Sequence, residues 1–140
     1  HALGIKIQSV DASGHVGSFE SAFSAMSREH ADGLIVGTSA SILTHRARVM
    51  EFTVKRRLPT IYARSRFVDA GGLMSYTASL PDLWRRAATY VDNILKGAKP
   101  GDLPIEQPRK FDFVINLKTA KALGLTIPPE VLIQATKVIK

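Results

Sequence analysis

The chain has 140 residues, of which 19 are Lys or Arg and 12 are Asp or Glu, so its formal net charge is +7. With 45% hydrophobic and 22% charged residues, the composition is that of a folded domain and excludes a largely disordered chain. The absence of cysteine excludes a disulfide framework, a thiolate zinc site and a cysteine nucleophile. No apolar run is long enough to predict a transmembrane helix, and residues 1–10 lack the pattern of a secretory signal peptide.

The first residues predict the end of a helix that leads into a strand. Ala2-Leu3-Gly4-Ile5 has the same pattern as Ala122-Leu123-Gly124-Leu125, where glycine is expected to end a helix in the left-handed conformation. A natural domain seldom begins at such a position, so we expect part of the protein to precede His1, which is either native or a tag remnant. The alternation of apolar and polar residues over 5–10 predicts a strand.

The remainder of the first half alternates between helices and strands. The spacing of apolar residues over 19–26 predicts a helix with Ser18 as its N-cap. The apolar run 33–37 lies between turn residues and predicts a strand buried on both faces. A second helix is expected over 42–57 and a second strand over 60–63. The chain is therefore predicted to be an α/β protein, in three αβα layers around a mostly parallel sheet.

The second half has a longer helix and a proline-rich connection. After a bend at Gly71-Gly72 the predicted elements are a strand over 73–76, a helix from Ser79 to Gly97, the connection 99–108, a strand over 111–115 and helices over 117–123 and 128–139. We predict that residues 1–76 form a partial ligand-binding lobe. Residues 77–140 add a helix, the connection and a strand-helix return segment, and the two parts together make one truncated domain.

A first candidate site follows the buried strand at 33–37. Thr38, Ser39 and Ser41 lie where this strand turns into a helix, and strand ends of this kind form the usual ligand crevice of α/β sheets. Their hydroxyl groups either bind an anion or simply cap the helix. Another interpretation is a hydrolase nucleophile elbow at Ser39, although Ser41 stands where the motif has its final glycine. His45 lies one helical turn past Ser41, whereas such a serine normally takes its base histidine from a distant loop.

A second candidate site is expected at the next two strand ends. Arg64 and Phe67 follow one strand, and Ser75 and Tyr76 end another. A guanidinium group, an aromatic ring and hydroxyl groups suit a small polar or aromatic solute. The alternative is that Arg64 and Arg66 are merely exposed and that Phe67 belongs to the core.

The basic stretch from Arg46 to Arg66 suggests a module that binds nucleic acid or a membrane surface. A solvated helix face is favoured instead, because no aromatic residues for base stacking are interleaved with the charges. The four histidines do not lie at metal-ligand spacing, and no glycine-rich nucleotide motif is present. We expect no metal, no cofactor and no nucleic-acid partner.

Several segments resemble a large family of bacterial ABC-transporter substrate-binding proteins. They are Leu58-Pro59-Thr60-Ile61-Tyr62 and the ranges 67–76, 85–92, 94–100, 102–108 and 116–129. The resemblance implies a bilobed periplasmic-binding-protein fold, similar to type 1 solute receptors, whose lobes close on a ligand by hinge motion. The chain matches only the C-terminal half of such a protein.

The resemblance also implies a function without catalysis. The protein would be the extracytoplasmic component of an ABC importer, periplasmic or lipid-anchored, and would capture a small organic solute, amino-acid-like or similar. Its partners would be the solute, the ABC permease subunits and the missing N-terminal lobe. By position, the ligand-facing candidates are Thr38-Ser39, the loop from Arg64 to Phe67, and Ser75-Tyr76. Relatives often have proline and an acidic or polar residue where this chain has Thr38-Ser39-Ala40. Uncovered sheet edges further predict that the isolated chain forms homo-oligomers.

Overall fold

A five-stranded sheet with flanking helices forms the centre of the computed structural model, which describes residues 4–12 and 16–140. The strands are β1 (Leu34–Val36), β2 (Thr60–Tyr62), β3 (Met74–Ala78), β4 (Phe111–Asn116) and β5 (Lys137–Ile139). The helices are α1 (Val16–Arg28), α2 (Ala40–Thr44), α3 (Arg46–Lys55), α4 (Ser65–Asp69), α5 (Leu80–Leu95), α6 (Leu117–Leu123) and α7 (Pro129–Ile133), and a 3₁₀ turn spans Pro100–Asp102.

The strands lie side by side in the order of the chain. β1, β2 and β3 are mutually parallel, β4 is antiparallel to β3, and β5 is parallel to β4. In the register, Val36 lies beside Tyr62, and Tyr62 lies beside Ser75. The predicted α/β class with a mostly parallel sheet is therefore confirmed.

One cluster of buried apolar side chains joins β1 and β2 to the helices α1, α3 and α4. Phe19, Val36, Val49, Tyr62 and Phe67 form its centre. The rings of Tyr62 and Phe67 stack almost parallel, with centroids 4.7 Å apart. This aromatic pair joins β2 directly to α4, so the segment that follows β2 has a fixed position.

Helix α6 has the boundaries that its sequence predicts. The side-chain oxygen of Asn116 accepts a hydrogen bond from the backbone N–H of Thr119 and caps the first turn. Gly124 ends the helix with φ of 76°, the left-handed conformation that glycine adopts without strain. Gly4 also has a positive φ, of 64°. The helix end predicted at Ala2-Leu3 lies outside the described residues.

The prediction for residues 5–10 is wrong. Gly4 to Val10 have no regular structure, and the side chains of Ile5 and Ile7 are exposed. The strand β1 is also not buried on both faces, because Ile35 is 82% exposed. Residues 5–10 pair with no strand of the described sheet, and an alternating segment becomes a strand only when another strand completes its hydrogen bonds. Ile35 is exposed because its side chain lies on the face of β1 opposite Val36, which is buried.

Further corrections concern helix boundaries. The last helix ends at Ile133, and Lys137–Ile139 pairs with β4, because the short apolar run there finds a partner strand. The helix predicted over 42–57 is divided at His45 into α2 and α3. Helix α1 begins before Ser18, which therefore lies inside it. Among the described residues, no helix is long and apolar enough to cross a membrane.

Candidate functional site

The candidate site is the side of the sheet at which β1 and β2 end and beyond which β3 continues to Ala78. Because these strands are parallel and in register, the residues that follow Val36 and Tyr62 come to the same side. We call this side the carboxyl edge and define it by Thr38, Ser39, Arg64 and Tyr76.

The turn after β1 places two hydroxyl groups at the carboxyl edge. Thr38 is exposed, whereas Ser39 is half-buried and is the N-cap of α2. The Ser39 Oγ accepts a hydrogen bond from the backbone N–H of Ile42 at 3.1 Å. His45 packs its ring edge-on against Phe19, with centroids 5.2 Å apart. Ser39 therefore caps helix α2, whereas the ring of His45 packs against Phe19.

Arg64 stands between β2 and α4. The segment from Arg64 to Phe67, predicted as a loop, is instead an extended residue followed by the first turn of α4. Arg64 is half-buried, and its guanidinium group has no ion pair and no hydrogen bond with any residue of 4–12 or 16–140. A cation that is partly withdrawn from water and lacks a partner favours an external anion.

The prediction that a strand ends at Tyr76 is wrong, because pairing with β4 continues β3 to Ala78 and leaves Tyr76 inside the strand. The Tyr76 side chain is 51% exposed and stacks on Phe111, with ring centroids 5.2 Å apart and planes within 3° of parallel. Phe113 lies directly opposite Tyr76 and touches it edge-on. The sequence did not single out Phe111 as a candidate site residue. Its one signal was the alternation of apolar and polar residues over 111–115, which predicts a strand.

Two of the predicted site residues are buried in the core and not exposed at the carboxyl edge. Phe67 is 3% exposed and packs on Tyr62, and Ser75 is completely buried. Within the described part of the chain, the Ser75 Oγ has no hydrogen-bond partner. In the structure Thr38, Ser39 and Arg64 therefore follow the ends of β1 and β2, and Tyr76 lies within β3, whereas Phe67 and Ser75 are buried beside Tyr62.

The basic stretch does not form one continuous patch. Arg48 pairs with Glu20 at 3.6 Å, and Lys55 pairs with Glu51 at 2.7 Å. The hydrogen bond from Lys55 lowers the pKa of the Glu51 carboxyl. Arg57 donates from Nη2 to the carbonyl oxygen of Ala122 at 2.8 Å. These contacts fit the solvated helix face that the sequence favoured.

A groove of about 580 Å³ lies between α1 and α3, away from the carboxyl edge. Its aromatic wall is the stacked pair Phe23 and Phe52, whose ring centroids are 4.1 Å apart. None of the predicted site residues lines this groove. Within 4–12 and 16–140, no three histidine, aspartate or glutamate side chains come together to hold a metal ion; His1 and His15 lie outside those ranges.

Solved structures with the same fold are periplasmic-binding-protein-like. A conserved domain protein from Vibrio cholerae is 27% identical, with a TM-score of 0.74, over 87% of this chain and 41% of its own. The ABC domain from Streptococcus pneumoniae in complex with L-Trp is 30% identical, with a TM-score of 0.75, over 88% of this chain and 42% of its own. A ligand-free, open substrate-binding protein with adhesive properties from Clostridium difficile is 22% identical, with a TM-score of 0.64, over 89% of this chain and 41% of its own. At this identity the likeness supports the fold alone.

These likenesses define the chain as an α/β lobe of the periplasmic-binding-protein class. The family model described as ABC transporter substrate binding protein matches residues 2–139, and the chain belongs to this family. It spans about two-fifths of the length of the solved structures that it matches. No protein of curated function matches the sequence.

Proposed function

We propose that the chain is the solute-binding lobe of an extracytoplasmic component of an ABC importer. It captures a small organic solute with a carboxylate group, amino-acid-like or similar, and delivers it to the membrane permease. The observation that carries this proposal is Arg64, a half-buried cation that has no partner among the described residues and lies at the carboxyl edge of the sheet in a chain of the substrate-binding family.

The chemistry of the edge supports a ligand with one anionic and one apolar part. Arg64 donates to the carboxylate, while the hydroxyl groups of Thr38 and Ser39 hold polar atoms nearby. The exposed rings of Tyr76 and Phe111 offer an apolar wall. The relative from Streptococcus pneumoniae binds L-Trp, which has both parts. Phe67 and Ser75 act from beneath, because their burial holds the strand ends in place.

The capture step requires a second lobe. Polar groups on one sheet edge enclose a solute only when another surface closes over them, and binding proteins achieve this by hinge closure. More than half of each matching structure has no counterpart in this chain, which is consistent with a separate N-terminal lobe. In this proposal residues 1–76 form most of the cleft wall, and residues 77–140 return the chain beside it and add Phe111 to the wall.

Native mass spectrometry of the full gene product, periplasmically expressed, tests the proposal. A co-purified carboxylate solute is expected, and its removal and replacement allow affinity to be measured by calorimetry. Arg64→Gln should weaken binding about tenfold to a hundredfold, because a charge-assisted hydrogen bond contributes roughly 1.5–3 kcal/mol. The matched control is Arg66→Gln, which removes an exposed charge two residues away and should leave the affinity unchanged.

Three results would contradict the proposal. The first is equal affinity of Arg64→Gln and the parent protein. The second is stoichiometric labelling of Ser39 by a serine-reactive phosphonate, which indicates a hydrolase. The third is salt-dependent retention on a polyanion that is lost when Arg56 and Arg57 are reversed in charge, which indicates a nucleic-acid or membrane-surface module.

A further inference from the structure

The turn between α1 and β1 contains the one Asp-Gly dipeptide of the sequence, Asp32-Gly33. Both residues are exposed, and β1 begins directly after them, so they lie at the side of the sheet opposite the carboxyl edge. The Asp32 carboxylate has no ion pair and no hydrogen bond with any residue in the described ranges. The N–H of Gly33 is likewise without an acceptor there. Within the described structure, an unbonded carboxyl group therefore stands next to an unbonded peptide nitrogen.

The local structure leaves these two groups free to meet. A bond between the Gly33 nitrogen and the Asp32 Cγ closes a five-membered ring, which requires rotation of the Asp32 side chain and of the peptide group that follows it. No hydrogen bond of the described structure has to break for this rotation. Glycine also has no Cβ to obstruct the approach. Reacting groups held on neighbouring atoms combine far more readily than separate molecules do.

The other aspartates of the sequence stand in a different environment. Each of them is followed by a residue with a side chain, which hinders ring closure. The next peptide nitrogen is also bound in several cases. Leu83, after Asp82, donates to the carbonyl oxygen of Ser79 at 3.0 Å, and Phe113, after Asp112, donates to a threonine hydroxyl at 2.9 Å. Reaction at these positions would require local unfolding first.

We infer that Asp32 is a modification site, at which the protein forms isoaspartate spontaneously through a succinimide ring. The Gly33 nitrogen bonds to Cγ of the protonated Asp32 carboxyl group, whose OH leaves as water with the proton of that nitrogen. Water then adds to one of the two ring carbonyl groups. Cleavage between the nitrogen and Cγ restores aspartate, whereas cleavage between the nitrogen and the main-chain carbonyl carbon of Asp32 gives isoaspartate. The water lost in the first step is regained in the second, and nothing is oxidised or reduced.

Isoaspartate at this position alters the start of β1. Its main chain runs through Cβ and Cγ and is longer by one carbon–carbon bond, about 1.5 Å. Leu34 donates its N–H to the carbonyl oxygen of Pro59 at 2.9 Å and lies beside Thr60 in the register. β1 has three residues and pairs in the described sheet with β2 alone, so it depends on these contacts. The modification therefore loosens β1 and lowers the thermal stability of the protein, whatever solute the protein binds.

Incubation of the full gene product for several weeks in heavy-oxygen water at neutral pH tests the inference. Each opening of the ring by solvent adds one heavy oxygen atom to residue 32, and peptide mapping by mass spectrometry locates it. We expect several-fold more label at Asp32 than at any other aspartate, at a rate similar to that of a synthetic peptide of residues 29–36. The labelled peptide should also accept a methyl group from a protein isoaspartyl methyltransferase. A label at Asp32 no greater than at the other aspartates would overturn the inference.

Conservative variants separate the reaction from general ageing. Gly33→Ala adds a Cβ 3.5 Å from the carbonyl oxygen of Pro59, an ordinary contact, and should slow labelling several-fold. Asp32→Glu keeps the charge but requires a larger ring, and should abolish it. Gly101→Ala, whose Cβ meets nothing within 4 Å, is the control and should leave labelling of Asp32 unchanged. Equal labelling of Gly33→Ala and the parent protein would overturn the inference, as would an equal loss of thermal midpoint on ageing in Asp32→Glu and the parent.

Discussion

The phenolic oxygen of Tyr62 lies 3.1 Å from the Oγ1 of Thr53, and both side chains are buried. Thr53 donates its own proton to the carbonyl oxygen of Met50 at 2.9 Å, so Tyr62 is the donor in the shared bond. This bond ties the last residue of β2 to α3.

Tyr62→Phe should destabilise the protein and remove part of its sensitivity to alkali. The lost hydrogen bond costs about 1 kcal/mol of unfolding free energy. Burial raises the pKa of Tyr62 above its usual value of about 10. On raising the pH, Tyr62 loses its proton in the unfolded chain before it does so in the folded protein. The contribution of Tyr62 to the free energy of unfolding is therefore constant below about pH 10 and falls as the pH rises further. Denaturant titrations of both proteins across this range measure the effect, and parallel curves above pH 10 would contradict it.

Gly72→Ala should destabilise the protein through a steric clash. A Cβ at this position would lie 2.7 Å from Cε2 of Tyr62 and 2.8 Å from the carbonyl oxygen of Phe67. Neither atom can move freely, because these two residues are stacked in the core, so we expect a loss of roughly 1–3 kcal/mol. Gly101→Ala is the control, since its Cβ meets nothing within 4 Å. Equal denaturation midpoints for the two variants would contradict this account.

Ser75→Ala should stabilise the protein. The Ser75 Oγ is buried and has no hydrogen-bond partner in the described structure, and such a hydroxyl costs about 1–3 kcal/mol relative to an apolar group. Thr60→Val provides the contrast, because the Thr60 hydroxyl is equally buried but donates to the carbonyl oxygen of Leu58 at 2.9 Å. That variant should lose about 1 kcal/mol. A lower melting temperature for Ser75→Ala would show that its hydroxyl is satisfied in solution.

The 140-residue chain on its own should self-associate through β1, one of the two edge strands of the described sheet. β1 is an unpaired edge in the described sheet, and Ile35 on it is 82% exposed. Ile35→Lys should shift the chain towards the monomer in light scattering, since a charge on an edge strand opposes further pairing. Ile105→Lys is the control, because Ile105 is just as exposed but lies in the proline-rich segment. A monodisperse monomer of the unsubstituted chain would refute this prediction.

Local signals made several elements predictable. The apolar spacing of α5 and the glycines that follow α5 and α6, Gly97 and Gly124, are encoded within one or two helical turns, and the structure has both helices where they were expected. The carboxyl edge was predictable for a different reason. Residues that follow parallel strands must come to the same side of the sheet, so Thr38 and Arg64 both lie there, whereas the level of Tyr76 within β3 depends on the register with β2.

The sequence by itself therefore determined the fold class, the longest helix and the edge at which the polar strand ends meet. Only the tertiary structure decided that residues 5–10 are not a strand, that Lys137–Ile139 is one, and that Phe67 and Ser75 lie beneath the site. The stacking of Tyr76 on Phe111 was likewise decided by strand pairing. Helix signals are contained in neighbouring residues, whereas a strand and the environment of its side chains depend on partners distant in the chain.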